Sequence, residues 1–139
     1  CADLSVLATY AKVENPDYRL LKAHTPGAYT WILRGTGEVP RRLMHPKKRT
    51  IGIRVPDHAI CQGLLAEHGE PIMTSTLLLP GDEYPLTDPV DVRNVLEGRV
   101  DLIIDGGFCG MTETTVISLA DGDGPEVVRE GAGSLEGIF

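Results

Sequence analysis

Runs of β-branched and apolar residues in this chain are repeatedly cut by proline or glycine, which together occupy 26 of 139 positions. Such punctuation forbids long helices and leaves short elements joined by frequent turns. The length suits one domain spanning 1–139, with a core that hides roughly two-thirds of the unfolded surface. The longest purely apolar runs are a few residues, such as Leu77-Leu78-Leu79, far short of a membrane span. No basic stretch followed by an apolar segment marks a secretion signal. The first residue is Cys1 rather than Met, so either something was removed or the chain is a piece of a longer protein. Cys1, Cys61 and Cys109 are odd in number and widely spaced, which suits a reducing cytoplasm better than a disulfide framework.

Between the breakers, the pattern predicts elements in a definite order. Asp3 caps a short helix, and Asn15-Pro16 starts a second, with Asn as the cap. Tyr29–Leu33 reads as a strand after the Pro26-Gly27 turn, and Thr50–Val55 as another, stopped by Pro56. Asp57 is the expected cap of a helix running to about His68, closed by Gly69. Pro71–Ser75 reads as a strand, Asp88-Pro89 opens a helix stopped by Gly98, and Val100–Asp105 reads as a strand. Two more strands follow at Thr114–Leu119 and Glu126–Arg129. Helices and strands alternate in the middle and strands cluster at the end, which implies an α/β domain with a twisted, mixed sheet.

Charge is unevenly spread. The net charge is −7, yet residues 34–54 sum to +6 while residues 55–139 sum to −13. Arg41, Arg42, Lys47, Lys48 and Arg49 form the heart of the basic stretch. Such a stretch either keeps a loop solvated or attracts a polyanion such as RNA or a nucleoside triphosphate. It contains no aromatic residue, so RNA held there is held by its phosphates.

Standard catalytic signatures are absent. No phosphate-binding P-loop, dinucleotide fingerprint, zinc-protease helix or nucleophile elbow occurs, and no metal ligand set or catalytic acid–base pair stands out. His58 and Cys61, three apart on a helix, lack a second such pair. What remains is hydroxyls and arginines at strand ends: Thr50 and Arg54, Thr74 to Thr76, Thr114 and Thr115, and Arg129. In an open α/β sheet, ligands gather where strand ends meet loops, and such side chains suit a small anion. Threonine is also simply a good strand residue.

Six stretches resemble one family in order and spacing. They are Thr25–Thr30, Thr50–Pro56, Gly69–Thr76 with Pro80-Gly81, Val100–Gly107, Thr114–Val116 and Val128–Gly131. Together they resemble the Sua5/YciO/YrdC family, its YciO branch most of all, along essentially the whole chain. The resemblance implies a twisted open sheet flanked by helices, with a concave, positively charged groove. It also implies a threonylcarbamoyl-AMP synthase reaction, in which L-threonine, bicarbonate and ATP give threonylcarbamoyl-adenylate and pyrophosphate for modification of tRNA. ATP is then a substrate, accompanied by Mg2+, and no tightly bound cofactor is implied. Thr50, Thr76 and Arg129 are the implied ATP contacts. Arg54, Thr74 and Thr114 are the implied threonine contacts, Arg54 pairing with the carboxylate. The resemblance also implies binding of tRNA or double-stranded RNA, which Arg41, Arg42, Lys47, Lys48 and Arg49 suit. A non-catalytic RNA- or ribosome-binding module is the competing expectation, and a carbamoyl-transfer domain of the hydrogenase-maturation type a third. Two departures stand out. Thr76 and Leu78 replace the Ser-x-Asn of the enzymatic branches, and the family's N-terminal strand and basic triphosphate-binding cluster have no counterpart here. If that part is truly absent, uncovered sheet surface calls for self-association.

Overall fold

The strand Tyr29–Arg34 (β1) organises the computed structural model, which describes residues 1–139. Tyr29, Trp31 and Leu33 are buried, while Thr30 and Ile32 are half-buried and Arg34 is exposed. Side chains alternate along a strand, so β1 sends every second residue into the core and the others onto an open face. Thr50–Ile53 (β2) pairs with β1 antiparallel, matching Trp31 with Ile53 and Arg34 with Thr50. On the other side, Thr115–Ser118 (β3) runs parallel to β1, and Glu126–Arg129 (β4) is antiparallel to β3. The order is β2-β1-β3-β4, an open mixed sheet of the expected class.

The core side of the sheet packs with two helices, α1 (Leu4–Tyr10) and α2 (Asn15–His24). Leu7, Ala11, Leu21, Trp31, Leu33 and Ile117 meet there, each at most 1% exposed. Trp31 stacks on Tyr29 with ring centroids 5.2 Å apart. Asp3 caps α1 as expected, its Oδ1 accepting from the Val6 amide at 2.8 Å. In α2 the proline lies in the first turn, but Asn15 is already helical and Glu14 precedes it without a side-chain cap bond. Helix α3 (Ala59–His68) is capped by His58, not Asp57: His58 Nδ1 accepts from the Ile60 amide. Gly69 closes α3 with φ of +80°, and its amide donates to the Leu65 carbonyl. A side chain would be strained in that left-handed conformation.

The chain divides into two compact units, one of Cys1–Ile72 with Glu113–Phe139, the other of Met73–Thr112. The first holds the whole sheet. The second has one helix, α4 (Pro89–Leu96), capped by Asp88 Oδ1 accepting from the Val90 amide at 2.9 Å. The strands expected at Pro71–Ser75 and Val100–Asp105 do not form; apart from a single bridge between Glu97 and Val100, neither segment has a strand partner. Leu102 is 76% exposed and Phe108 79%. A β-branched run can stay irregular, because a strand exists only through a hydrogen-bonded neighbour and local propensity cannot replace it. No helix is long and apolar enough to cross a membrane.

Candidate functional site

Some of the strand-end hydroxyls and guanidiniums share the face of the sheet that Thr30 occupies. Thr30 of β1 is opposite Val116 of β3, and Val116 is in turn opposite Arg129 of β4, so Thr30 and Arg129 share a face. Thr114, one residue before β3, joins them. Its Oγ1 is 2.7 Å from Thr30 Oγ1 and accepts from Arg129 Nη2 at 3.2 Å. Arg129 also donates through Nε (3.1 Å) and Nη2 (2.9 Å) to the Thr114 carbonyl. Its remaining nitrogen, Nη1, faces Glu113 Oε2 at 3.3 Å, the single ion pair of the chain. Arg54 follows Ile53, whose side chain is on the core side opposite Trp31, so alternation brings Arg54 onto the Thr30 face. Arg54 is exposed and enters no ion pair. Between these groups, Gly52 keeps the face low: a Cβ there would meet Thr30 Cγ2 at 3.3 Å.

A buried latch behind this cluster holds it in register. Thr115 is fully buried, its Oγ1 donating to the Gly133 carbonyl at 2.6 Å and accepting from the Gly131 amide at 2.9 Å. The Ala132 amide donates to the Glu113 carbonyl at 2.8 Å. Any side chain at 131 would fall on the Glu113 and Thr114 carbonyls, so only glycine permits this approach. The return segment after β4 thus braces the backbone that carries Glu113 and Thr114.

Of the residues expected to form the site, Arg54, Thr114 and Arg129 come to one end of the open face. Thr50 is opposite Arg34 at the other end of β1, four residues from Thr30 along the strand, roughly 13 Å at strand rise. Thr74 and Thr76 belong to the Met73–Thr112 unit, where both are exposed; the Thr76 carbonyl accepts from the Leu78 amide. Leu78 is 45% exposed. Arg41 and Arg42 lie in a single 3-10 turn (Arg41–Leu43), and Lys47, Lys48 and Arg49 in the turn before β2, all exposed. That basic loop is pinned rather than loose. His45 Nδ1 accepts from the Lys47 and Lys48 amides, the Arg49 amide donates to the His45 carbonyl, and the Gly35 amide donates to the Arg49 carbonyl.

Two hollows of the first unit are lined by other residues, one beside Asp3, Tyr18, Pro26 and Gln62, the other beside Arg19, Ala23, Pro125 and Ile138. Arg54, Glu113 and Arg129 of the candidate site are exposed, and Thr30 and Thr114 are half-buried. Sequence reading also passed over two of its members. Thr30 could have been found from the alternation of Tyr29 and Trp31, which must turn Thr30 outward. Glu113 carried no signal, because its pairing with Arg129 depends on the β3–β4 register. Chemically, the cluster offers hydroxyls, two guanidiniums and the Glu113 carboxylate. It can bind and neutralise an anion and orient it.

Comparison with known proteins gives a consistent picture. A family model for Sua5, YciO and YrdC, described as telomere recombination, matches residues 1–131. The chain is 53% identical to the uncharacterized protein YciO of Escherichia coli K12 over 136 residues, 98% of this chain and 66% of that protein. It superposes on the crystal structure of E. coli YciO with a TM-score of 0.93 and 52% identity, covering all of this chain and 67% of that one. It is 37% identical to the threonylcarbamoyl-AMP synthase of Bacillus subtilis over 120 residues, 86% of this chain and 34% of that protein. The structure of P. abyssi Sua5 complexed with L-threonine matches with a TM-score of 0.82 and 28% identity, over 93% of this chain and 38% of that one. The chain spans about two-thirds of the length of the YciO relative.

Proposed function

The chain belongs to the Sua5/YciO/YrdC family, and on that premise we propose that it binds L-threonine and ATP on the open face of its sheet, as a threonylcarbamoyl-AMP synthase-type domain. The observation that carries this reading is the Thr30–Thr114–Arg129 cluster, with the unpaired Arg54 turned onto the same face. In this reading Arg54 takes the threonine carboxylate, and Thr114, supported by Thr30, holds the polar end of the amino acid. Arg129 neutralises phosphate charge, and Thr50, farther along the face, serves the nucleotide. Mg2+ travels with ATP. Forming a mixed anhydride between a carbamate and an adenylyl group asks for alignment and charge neutralisation rather than for a protein nucleophile, and the cluster is of that kind. Support comes also from the relatives: one is named threonylcarbamoyl-AMP synthase and another was solved with L-threonine. The free thiols of Cys1, Cys61 and Cys109 suit a cytoplasmic setting.

The test is pyrophosphate release on mixing the protein with ATP, L-threonine, bicarbonate and Mg2+. Turnover is expected, and Arg54→Ala is expected to lower it about tenfold or more, the loss of a charge-assisted bond to a carboxylate. Turnover unchanged by Arg54→Ala sinks the assignment.

The pinned basic loop favours a second reading, in which the chain docks on tRNA or duplex RNA without catalysis. Arg41, Arg42, Lys47, Lys48 and Arg49 are all exposed and none is neutralised by an acidic partner. Here a duplex-RNA gel shift is expected, weakening steeply with salt and lost when these five charges are reversed. No shift at low salt excludes this reading.

A further inference from the structure

We propose that Glu113 is the resident counter-anion of Arg129, and that a phosphate ligand enters by displacing it. The inference rests on the reading above, that Arg129 meets an anionic ligand.

The geometry separates what orients Arg129 from what covers it. The Nε and Nη2 edge is bound to the Thr114 carbonyl and hydroxyl, at 2.9 to 3.2 Å. Those bonds come from main chain and a neighbouring threonine, so they set the plane of the guanidinium without help from Glu113. The edge left for a ligand is Nη1, and that is where the Glu113 carboxylate sits, at 3.3 Å. The main chain of Glu113 is held by the Ala132 amide, while its side chain is about half exposed and can turn into water. An anion approaching Nη1 therefore meets a removable competitor of its own charge. Arg129 cannot offer its two-nitrogen fork to the newcomer, because that side already faces Thr114; it offers one end. Exchanging one monoanionic carboxylate for another at a single nitrogen gains nothing. A phosphate group with higher charge does gain. The Glu113–Arg129 pair thus selects phosphate over carboxylate at this end of the face and leaves amino-acid carboxylates to Arg54.

The experiment is calorimetric titration of the protein and of its Glu113→Gln and Glu113→Ala variants with ATP and, separately, with L-threonine, alongside Arg129→Ala. Glu113 is exposed and its backbone bond does not involve the side chain, so both variants are expected to stay folded and to lose no more stability than the small worth of an exposed ion pair. ATP affinity is expected to rise about two- to fivefold in both, the range spanned by an exposed ion pair. The gain should shrink at high salt, and threonine affinity should not move. A role for Glu113 in holding Arg129 in place would give the opposite sign, a weaker ATP complex. If wild type binds ATP, Arg129→Ala does not, and both Glu113 variants bind no tighter than wild type, the counter-anion proposal is overturned while the binding site stands. If neither wild type nor the variants bind ATP, both fall together.

Discussion

Replacing Thr115 by valine, nearly the same shape without the hydroxyl, tests whether the return segment is truly latched to the sheet. Thr115 Oγ1 satisfies two backbone groups at once, the Gly133 carbonyl and the Gly131 amide. Gly133 is buried, so its carbonyl would be left without a partner and away from water, at a cost of about 1–3 kcal/mol. Gly131 is only half-buried and its amide can reach water, so that loss is nearer the net worth of one bond, about 1 kcal/mol. The total is about 2–4 kcal/mol, which for a chain of this length lowers the melting temperature by on the order of 10 °C. The assay is urea unfolding followed by fluorescence of Trp31, the single tryptophan, which is fully buried in the same unit. Thr115→Ser is the control: it keeps both bonds and loses one methyl, about 1 kcal/mol. If the valine protein unfolds at the same urea concentration as the serine protein, the hydroxyl holds nothing and the reasoning is refuted.

Trp31→Ala should cost about 3–5 kcal/mol, the usual loss for a large buried aromatic, seen as a fall in the unfolding midpoint by far-ultraviolet circular dichroism; a loss under 1 kcal/mol would mean the core is not centred on β1. Asp88→Ala should cost about 1 kcal/mol and fray the start of α4, which faster amide exchange at Val90 would register. Burial, and then the neighbouring Glu14 carboxylate, hold Asp17 above the usual carboxylate range. Folding therefore favours its protonated form, so the stability it lends is complete below the ordinary aspartate pKa and is lost as pH rises through the raised one. Asp17→Asn should match wild type at the acid end of that window and be the more stable protein at neutral pH; equal stability at neutral pH would contradict the shift.

What could be read from the letters alone is what neighbours in the chain decide between themselves. Asp3 and Asp88 cap helices because an Asp side chain reaches an amide two or three residues on, wherever the helix later packs. Gly69 ends α3 because only glycine is at ease at its φ. The alternation of Tyr29, Trp31 and Leu33 declares both the strand and its buried side. Local rules misled where two neighbours could do the same job, as with His58 in place of Asp57. Partnership across the chain is another matter. Val100–Asp105 has a strand's composition and no strand, since the ladder needs a second chain segment beside it. Arg54 and Thr50 are four residues apart in the stretch Thr50–Val55 that reads as one strand, where alternation gives both the same face. Pairing with β1 separates them, sending one toward Thr30 and the other toward Arg34. Arg129 reads as a free anion clamp until the β3–β4 register sets it against Thr114 and Glu113. Caps, turns and buried faces follow from contacts within a few residues; a binding surface is assembled from residues up to a hundred positions apart, and register decides which of them meet.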